Sequence, residues 1–335
     1  MLAFDTRHAG AVRPAHLALA VLVAAIWGLN FVVIEVGLED FPPLLLSALR
    51  YALAALPLIV LRGMPAVRWR WVLAVGAAIG VVKFSLLFVG MDVGMPAGLA
   101  SLVLQAQALF TVVLAAALLG ERIARSQVAG LAIAFAGLAV VAGGLDGAAT
   151  PEGFALVIAA AAAWGVGNLA LKRAAPADPL RFMTVMCLVP PVPLLALSLA
   201  FEGPREIGDA LAGADPRGVG AVLYLAFAAT TVGWGLWGHL IGRYAASTVA
   251  PFSLLVPIFG LSFAALLLGE PVSGRDVGAA VLVLGGVLLT VRASRPAISP
   301  LVAGSSAGEA CIPRPGARWL PQTRRSETQR ARPLK

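Results

Sequence analysis

The hexapeptide AAIWGL at residues 24–29 recurs as AAAWGV at residues 161–166, which indicates that the chain contains an internal repeat. The two tryptophans are 137 residues apart. A second pair, AAALLGE at residues 115–121 and AALLLGE at residues 264–270, is separated by 149 residues. The chain therefore contains two related halves, and a polar loop predicted at residues 202–217 accounts for the extra length of the second copy.

Both copies lie in a strongly apolar chain. Of its 335 residues 60% are hydrophobic and 13% charged, and the mean hydropathy is +0.91, too apolar for a water-soluble surface. Ten apolar runs have about the 20-residue length that a membrane helix needs. They cover residues 16–35, 43–61, 71–91, 97–119, 126–144, 152–171, 180–200, 218–241, 247–268 and 276–292. Because the runs are continuous and not alternating, they predict an all-α polytopic membrane protein with ten transmembrane helices, not a barrel.

The repeat and the ten spans together predict the domain organisation. Residues 16–145 form a first five-helix repeat and residues 151–292 a second, between an N-terminal segment at 1–15 and a basic, disordered tail at 293–335. Because five is odd, the second repeat starts on the opposite side of the membrane and is inverted relative to the first. Inverted repeats around a midplane site are typical of alternating-access carriers.

The net charge of +8 is distributed unevenly between the two sides of the membrane. With a cytoplasmic N-terminus, that side receives 20 Lys and Arg residues, against three on the other side. This positive-inside pattern predicts that both termini are cytoplasmic, and it favours contact with lipid headgroups over nucleic acid. No enzyme motif and no metal-ligand spacing occurs, so we expect no catalytic residue, no metal and no cofactor.

Polar side chains inside the apolar spans are the candidate site, because they cost free energy in lipid unless a partner or a cavity satisfies them. Hydrogen bonding between helices is the alternative. The predicted substrate-binding residues are Asn30, Lys83, Ser101, Gln105, Asn168, Trp234 and Trp237. Lys83 lies near the middle of the third span, where it could attract a substrate carboxylate or take part in proton coupling.

Two glutamines in the fourth span receive different predictions. At about 100° per residue, Gln105 and Gln107 point about 200° apart, so both cannot line one narrow cavity. Gln105 shares a face of small residues and is predicted to meet substrate. Gln107 lies on a bulkier face and is predicted to bond Thr111 or an adjacent helix.

Coupling and hinge residues complete the candidate set. Glu35 and Arg50, both near the outer surface, are predicted to form an ion pair in the first hairpin. His239 could carry a proton, since its usual pKa is near neutrality, or lie as a plain interfacial histidine. Pro251 and Pro257 remove amide donors from the ninth span and are candidates for a hinge.

Three segments carry a family resemblance. WGLNFVVIEVGLEDFPPLLLSALRYALAALP (27–57), GMPAGLASLVLQAQALFTVVLAAALLGE (94–121) and IGRYAASTVAPFSLLVPIFGL (241–261) resemble the EamA-type drug/metabolite transporters. The resemblance extends over about residues 17–292. It implies a ten-helix inverted-repeat carrier of the bacterial inner membrane, driven by protons or by exchange. The implied cargo is a small amino-acid-like metabolite such as cysteine or O-acetylserine, moved outward.

Several alternatives stay open at this point. Glu35, Lys83 and His239 differ in type from the residues of the family pattern, so the resemblance does not fix substrate or coupling. An importer or a drug or toxic-compound exporter of the same fold fits the same topology, because alternating access is reversible. A non-transporting membrane sensor or scaffold is the reading from another functional class. The chain could act as a monomer or as a homodimer in the bilayer.

Overall fold

The computed structural model describes residues 13–59, 68–145, 149–176, 178–244 and 246–293, in which all regular secondary structure is helical. Nine of the described helices are long and apolar enough to cross a membrane, and Pro43–Ala54 is a shorter apolar helix. The helices are α1 Pro14–Leu38, α2 Pro43–Ala54, α3 Trp69–Asp92, α4 Ala97–Leu119, α5 Arg125–Ala142, α6 Pro151–Ala174, α7 Arg181–Phe201, α8 Pro204–Gly213, α9 Pro216–Arg243, α10 Pro251–Leu268 and α11 Gly274–Val291. Two predicted segments lie outside the described residues: residues 1–12 of the N-terminal segment 1–15, and the tail after residue 293.

Local sequence sets the helix ends. Proline occupies the first turn of α1, α2, α6, α8 and α9, where its missing amide donor leaves no bond unmade. At the other end, Gly120 and Gly269 follow α4 and α10 with φ of 68° and 70°. Only glycine adopts this left-handed conformation without strain, so the glycine of each LLGE motif is a helix stop.

Two segments differ from their predicted form. The second span was expected over residues 43–61, but α2 ends at Ala54 and a 3₁₀ turn follows at Leu56–Ile59, where Pro57 cannot continue an α-helix. The segment 202–217 was expected to be a polar loop, yet it contains α8. Pro204 starts this helix and Ile207 is buried beneath it, so an amphipathic pattern forms a helix there.

Helix α7 is broken next to an irregular part of α3. The helix is interrupted between Met186 and Pro191, and Val189 and Pro190 lie in this interruption. Gly76 and Gly80 of α3 contact these two residues, and α3 has π-helical geometry over Gly76–Lys83. Such π-helical turns are frequent at functional sites, and Lys83 ends this one.

Helices from the first and the second part of the chain pack on each other in pairs. Helix α1 packs on α10 and α6 on α4, while α5 packs on α11 and α2 on α7. Gly28 of α1 contacts Phe259 and Gly260 of α10, and a methyl group on Gly28 would lie 2.9 Å from the Gly260 nitrogen. Gly165 of α6 contacts Phe110 of α4, and a methyl group there would lie 2.9 Å from the Phe110 Cβ atom. The glycine that follows each repeated tryptophan therefore permits one close helix crossing.

Two glutamates tie distant parts of the chain together by capping helices. The carboxylate of Glu202 accepts from the amides of Leu44 and Leu45 at 2.6 and 3.1 Å, at the start of α2. Glu270 accepts from the amides of Ala97 and Gly98 at 2.8 and 3.0 Å, at the start of α4. These amides have no partner within their own helix, and a carboxylate also complements the helix dipole.

We expect Glu270→Gln to destabilise the protein by about 1 kcal/mol, because the amide keeps the shape but loses the charge that the α4 dipole favours. The measurement is the thermal unfolding midpoint in detergent. Glu121→Gln is the matched control: Glu121 ends the other LLGE motif, is exposed, and pairs with Lys172 at 2.5 Å. Exposed ion pairs contribute about 0–1 kcal/mol, so a control that loses as much as Glu270→Gln would contradict the capping role.

Candidate functional site

A cavity of about 370 Å³ lies between eight of the helices, within the volume range of small-molecule sites. Helices α5 and α11 contribute no residue to its lining. In the described part of the chain the lining contains no Asp or Glu. Its amides, small hydroxyls and cations are Asn30, Arg50, Lys83, Ser101, Gln105, Gln107, Asn168, Thr184, Thr230, Thr231 and Ser253.

Two buried cations share one wall of this cavity. Lys83 is 5% exposed, and its Nζ lies 3.4 Å from the ring centroid of Phe84 and 4.2 Å from that of Trp164. Arg50 is 4% exposed, and its Cζ lies 4.1 Å from the same Phe84 centroid. Aromatic faces attract cations, so these rings hold both side chains over the cavity without neutralising them.

The predicted ion pair between Glu35 and Arg50 is wrong. The Arg50 Nε donates a hydrogen bond of 3.1 Å to the Thr230 hydroxyl of α9. Glu35 does not line the cavity, and its Oε2 has no hydrogen-bond partner among the described residues. The prediction rested on membrane depth, whereas the rotation of α2 decides the direction of Arg50 and turns it towards α9.

The prediction that only one of the two glutamines can face the cavity is also wrong, since Gln105 and Gln107 both line it. The reason is a 3₁₀ turn over Leu104–Ala106, in the middle of α4. A 3₁₀ helix advances about 120° per residue. Two side chains that are two positions apart therefore point in directions about 120° apart around the helix axis.

The amides form bonds between helices at the cavity wall. Asn168 Nδ2 donates to Gln107 Oε1 at 2.7 Å and to the Thr111 hydroxyl at 3.1 Å, which links α6 to α4. Gln105 Nε2 donates to the Ser253 carbonyl of α10 at 3.4 Å. The bond of Gln107 to an adjacent helix agrees with its predicted bonding role, although the residue also faces the cavity.

Tryptophans form the apolar part of the lining. The centroid of Trp27 lies 5.2 Å from that of Trp234 and 5.3 Å from that of Trp237, and Trp27 Nε1 donates to the Ala229 carbonyl at 3.0 Å. Asn30 lies in the same lining with its Oδ1 buried and without a partner in the described residues. The Ser101 hydroxyl donates to the Gly98 carbonyl at 2.6 Å, so it is already bonded.

The remaining predicted residues do not line the cavity. His239 is exposed, with its ring 5.8 Å from that of His16, whose Nδ1 lies 2.6 Å from the Tyr244 hydroxyl. Pro251 lies in the 3₁₀ segment Ala250–Leu254 at the beginning of α10, and Pro257 is buried in that helix. The hinge role of the two prolines stays a prediction.

Sequence reasoning missed some cavity residues and misassigned others. Arg50 was assigned to an ion pair and Gln107 to packing, and the partner of Arg50, Thr230, was not predicted as a site residue. The threonine pair at 230 and 231 was a usable signal, because adjacent hydroxyls are unusual in an apolar span. Within the described residues, no cluster of three or more His, Cys, Asp or Glu side chains could hold a metal ion.

Comparison with known proteins shows which family this chain resembles. The model of the EamA-like transporter family matches residues 15–143 and again residues 152–292. A probable amino-acid metabolite efflux pump of Salmonella typhimurium is 44% identical over 82% of this chain and 93% of its own length. The Escherichia coli K12 protein of the same description is 43% identical over the same shares. A probable terminal-alkyne amino-acid exporter of Streptantibioticus cattleyicolor is 30% identical over 81% of this chain and 92% of its own.

A solved crystal structure supports the fold alone. It is 22% identical, with a TM-score of 0.58, and the alignment covers 83% of this chain and 96% of that one. The family evidence comes from the sequence matches. Because the family model covers most of the chain and both efflux pumps align along nearly their whole length, this protein belongs to the EamA-like transporter family.

Proposed function

We propose that the protein exports small amino-acid-like metabolites, such as cysteine or O-acetylserine, across the bacterial inner membrane by alternating access. The observation that carries this proposal is the cavity between the membrane helices, which has room for such a molecule and presents cations, amides and aromatic rings to it. The names of two relatives as amino-acid metabolite efflux pumps support the same class of cargo.

In this proposal the chain has ten spans in two inverted repeats, at residues 16–145 and 151–292. Two separate matches of one family model support the duplication. The exchanged contacts of Gly28 with Phe259 and of Gly165 with Phe110 support the symmetry. Phe110 and Phe259 are separated by the same 149 residues as the two LLGE motifs. An inverted pair of halves can exchange conformations and so move the opening of a central cavity from one side to the other.

The structure is best explained as the inward-open state of such a carrier. The cavity lining reaches Leu171, Gly238 and Ile241, close to the ends of α6 and α9 that the charge pattern predicts to be cytoplasmic. At the opposite ends, Glu202 and Glu270 hold the starts of α2 and α4. Both termini are cytoplasmic in this arrangement.

The predicted substrate residues have complementary chemistry in this proposal. Lys83 attracts the carboxylate of the substrate, and the amides of Asn30, Gln105 and Asn168 offer it hydrogen bonds. Trp234 and Trp237 pack against the apolar part of the substrate. Ser101 lies at the close contact between α4 and α10 beside the cavity. Protons or an exchanged metabolite provide the driving force, because the chain carries no nucleotide-binding motif.

The proposal is tested by release from cells. Cells expressing the protein are loaded with labelled cysteine or O-acetylserine, and the label is followed into the medium. We expect faster release than from cells with an empty vector. Faster uptake with unchanged release would favour the importer, and unchanged flux in both directions from membranes that contain the folded protein would favour a sensor or scaffold.

A further inference from the structure

The cavity contains two basic side chains and no carboxylate in its described lining to balance them. Arg50 and Lys83 are both buried in its wall, and the described lining has no carboxylate. The ion pairs of the described residues, Lys172 with Glu121 and Arg181 with Asp178, involve neither cation. Within that part of the chain, two membrane-embedded cations therefore have no anionic partner.

The two cations are also close to each other. Both lie over the Phe84 ring, at 4.1 Å for Arg50 Cζ and 3.4 Å for Lys83 Nζ from its centroid, so their separation cannot exceed the sum of these distances. Like charges repel strongly at such distances where water is scarce. Buried charges are normally paired, and charged groups inside membrane proteins mark ligand pathways. An anion between these residues relieves both the repulsion and the missing pairing.

Two polar atoms of residues that line the same cavity also lack partners. Arg50 Nη1 is a buried donor without an acceptor among the described residues, and Asn30 Oδ1 is a buried acceptor without a donor. A ligand that satisfies both groups presents an anionic oxygen to Arg50 and an N–H to Asn30. Trp27 lies on the same helix as Asn30, and its ring contacts the rings of Trp234 and Trp237, which form the aromatic wall of the cavity.

A free amino acid fits this arrangement less well than an acylated one. Its ammonium group carries a positive charge into a cavity with two cations and no carboxylate. When the nitrogen is acylated, the molecule keeps the carboxylate and one N–H but loses the ammonium charge. The acyl group adds an apolar part that suits the tryptophans.

We propose that the cavity selects amino-acid derivatives with a net negative charge, and N-acylated amino acids in particular, over zwitterionic amino acids. The carboxylate lies between Arg50 and Lys83, the amide N–H donates to Asn30 Oδ1, and the acyl group packs on the tryptophans. This inference rests on the proposed function, because it specifies the substrate class of the same cavity.

Two isomers provide the test, because N-acetylserine and O-acetylserine have the same atoms but differ in charge. The full chain is reconstituted in liposomes at a mildly acidic pH that keeps the O-acetyl group in place, and the initial efflux of each labelled isomer is measured below saturation. We expect N-acetylserine to leave at least about tenfold faster, the ratio that one charge-assisted contact provides. Equal efflux, or faster efflux of O-acetylserine, would overturn the inference.

Binding to the unmodified protein gives a second measurement that needs no variant. N-acetylserine is expected to raise the thermal unfolding midpoint in detergent at concentrations where O-acetylserine does not, since a ligand of the folded state stabilises it. Arg50→Gln is expected to reduce the efflux ratio of the two isomers towards one, and Arg50→Lys, which keeps the charge, to retain part of it. A ratio unchanged in folded Arg50→Gln protein would overturn the role of Arg50.

The outcomes separate this inference from the function on which it rests. Transport of cysteine or O-acetylserine without a preference for N-acetylserine would overturn the anion selectivity and leave the exporter proposal intact. Absence of flux for all three compounds would overturn both.

Discussion

Lys83→Gln is expected to reduce transport of carboxylate substrates by about 10- to 100-fold while the protein folds as stably as the wild type, or more so. A hydrogen bond to a charged group contributes about 1.5–3 kcal/mol, which corresponds to this loss. Stability should not fall, because Lys83 is buried over Phe84 and Trp164 without an anionic partner in the described residues. Removing an uncompensated buried charge is neutral or stabilising.

Efflux from proteoliposomes and the thermal unfolding midpoint, measured on the same preparations, test both parts of this prediction. The matched control is Lys172→Gln, since Lys172 is an exposed lysine of α6 that pairs with Glu121. The control should transport like the wild type. Full transport by folded Lys83→Gln protein, with unchanged pH dependence, would remove Lys83 from both the binding and the coupling roles.

Gly286→Ala is expected to destabilise the protein by about 1–3 kcal/mol, whereas Gly285→Ala on the same helix should be neutral or slightly stabilising. A methyl group on Gly286 would lie 2.5 Å from the Ala134 nitrogen and 2.5 Å from the Gly130 carbonyl oxygen, so α5 and α11 must separate. Around Gly285 no atom lies within 4 Å of an added methyl group. Small residues allow close helix crossings in membranes, where packing replaces the hydrophobic effect.

The thermal unfolding midpoints of the two variants decide this comparison, because both variants replace glycine by alanine in adjacent positions. The intrinsic helix preference is therefore the same in both, and only the contact with α5 differs. Equal midpoints would contradict the close crossing of α5 and α11. Neither helix lines the cavity, so Gly285→Ala should leave efflux unchanged.

Much of the helical architecture could be predicted from the sequence, because continuous apolar runs, prolines and glycines act locally. The starts at Pro43 and Pro216 and the stops at Gly120 and Gly269 follow from backbone preferences that one residue imposes. The short length of α2 and the helix α8 were missed. Hydropathy alone overlooked Pro57 in the first case and, in the second, the amphipathic pattern around Ile207.

The cavity was harder to predict than the helices, since it depends on helix rotation. Lys83, Asn30 and Asn168 were found because polar groups in apolar spans stand out in any register. The direction of Arg50 depends on how α2 packs against α9, and no local pattern encodes that. Gln107 was misplaced because a uniform α-helix was assumed across Leu104–Ala106, where the chain tightens into a 3₁₀ turn.

The proposed transport of amino-acid metabolites through this cavity can be measured as flux through the purified protein in liposomes. Liposomes loaded with labelled cysteine, O-acetylserine or N-acetylserine are diluted into buffer, with and without a pH gradient. We predict saturable, protein-dependent efflux of at least one compound, greatly reduced in the Lys83→Gln variant. Efflux of none of them from folded, correctly inserted protein would contradict the proposed transport.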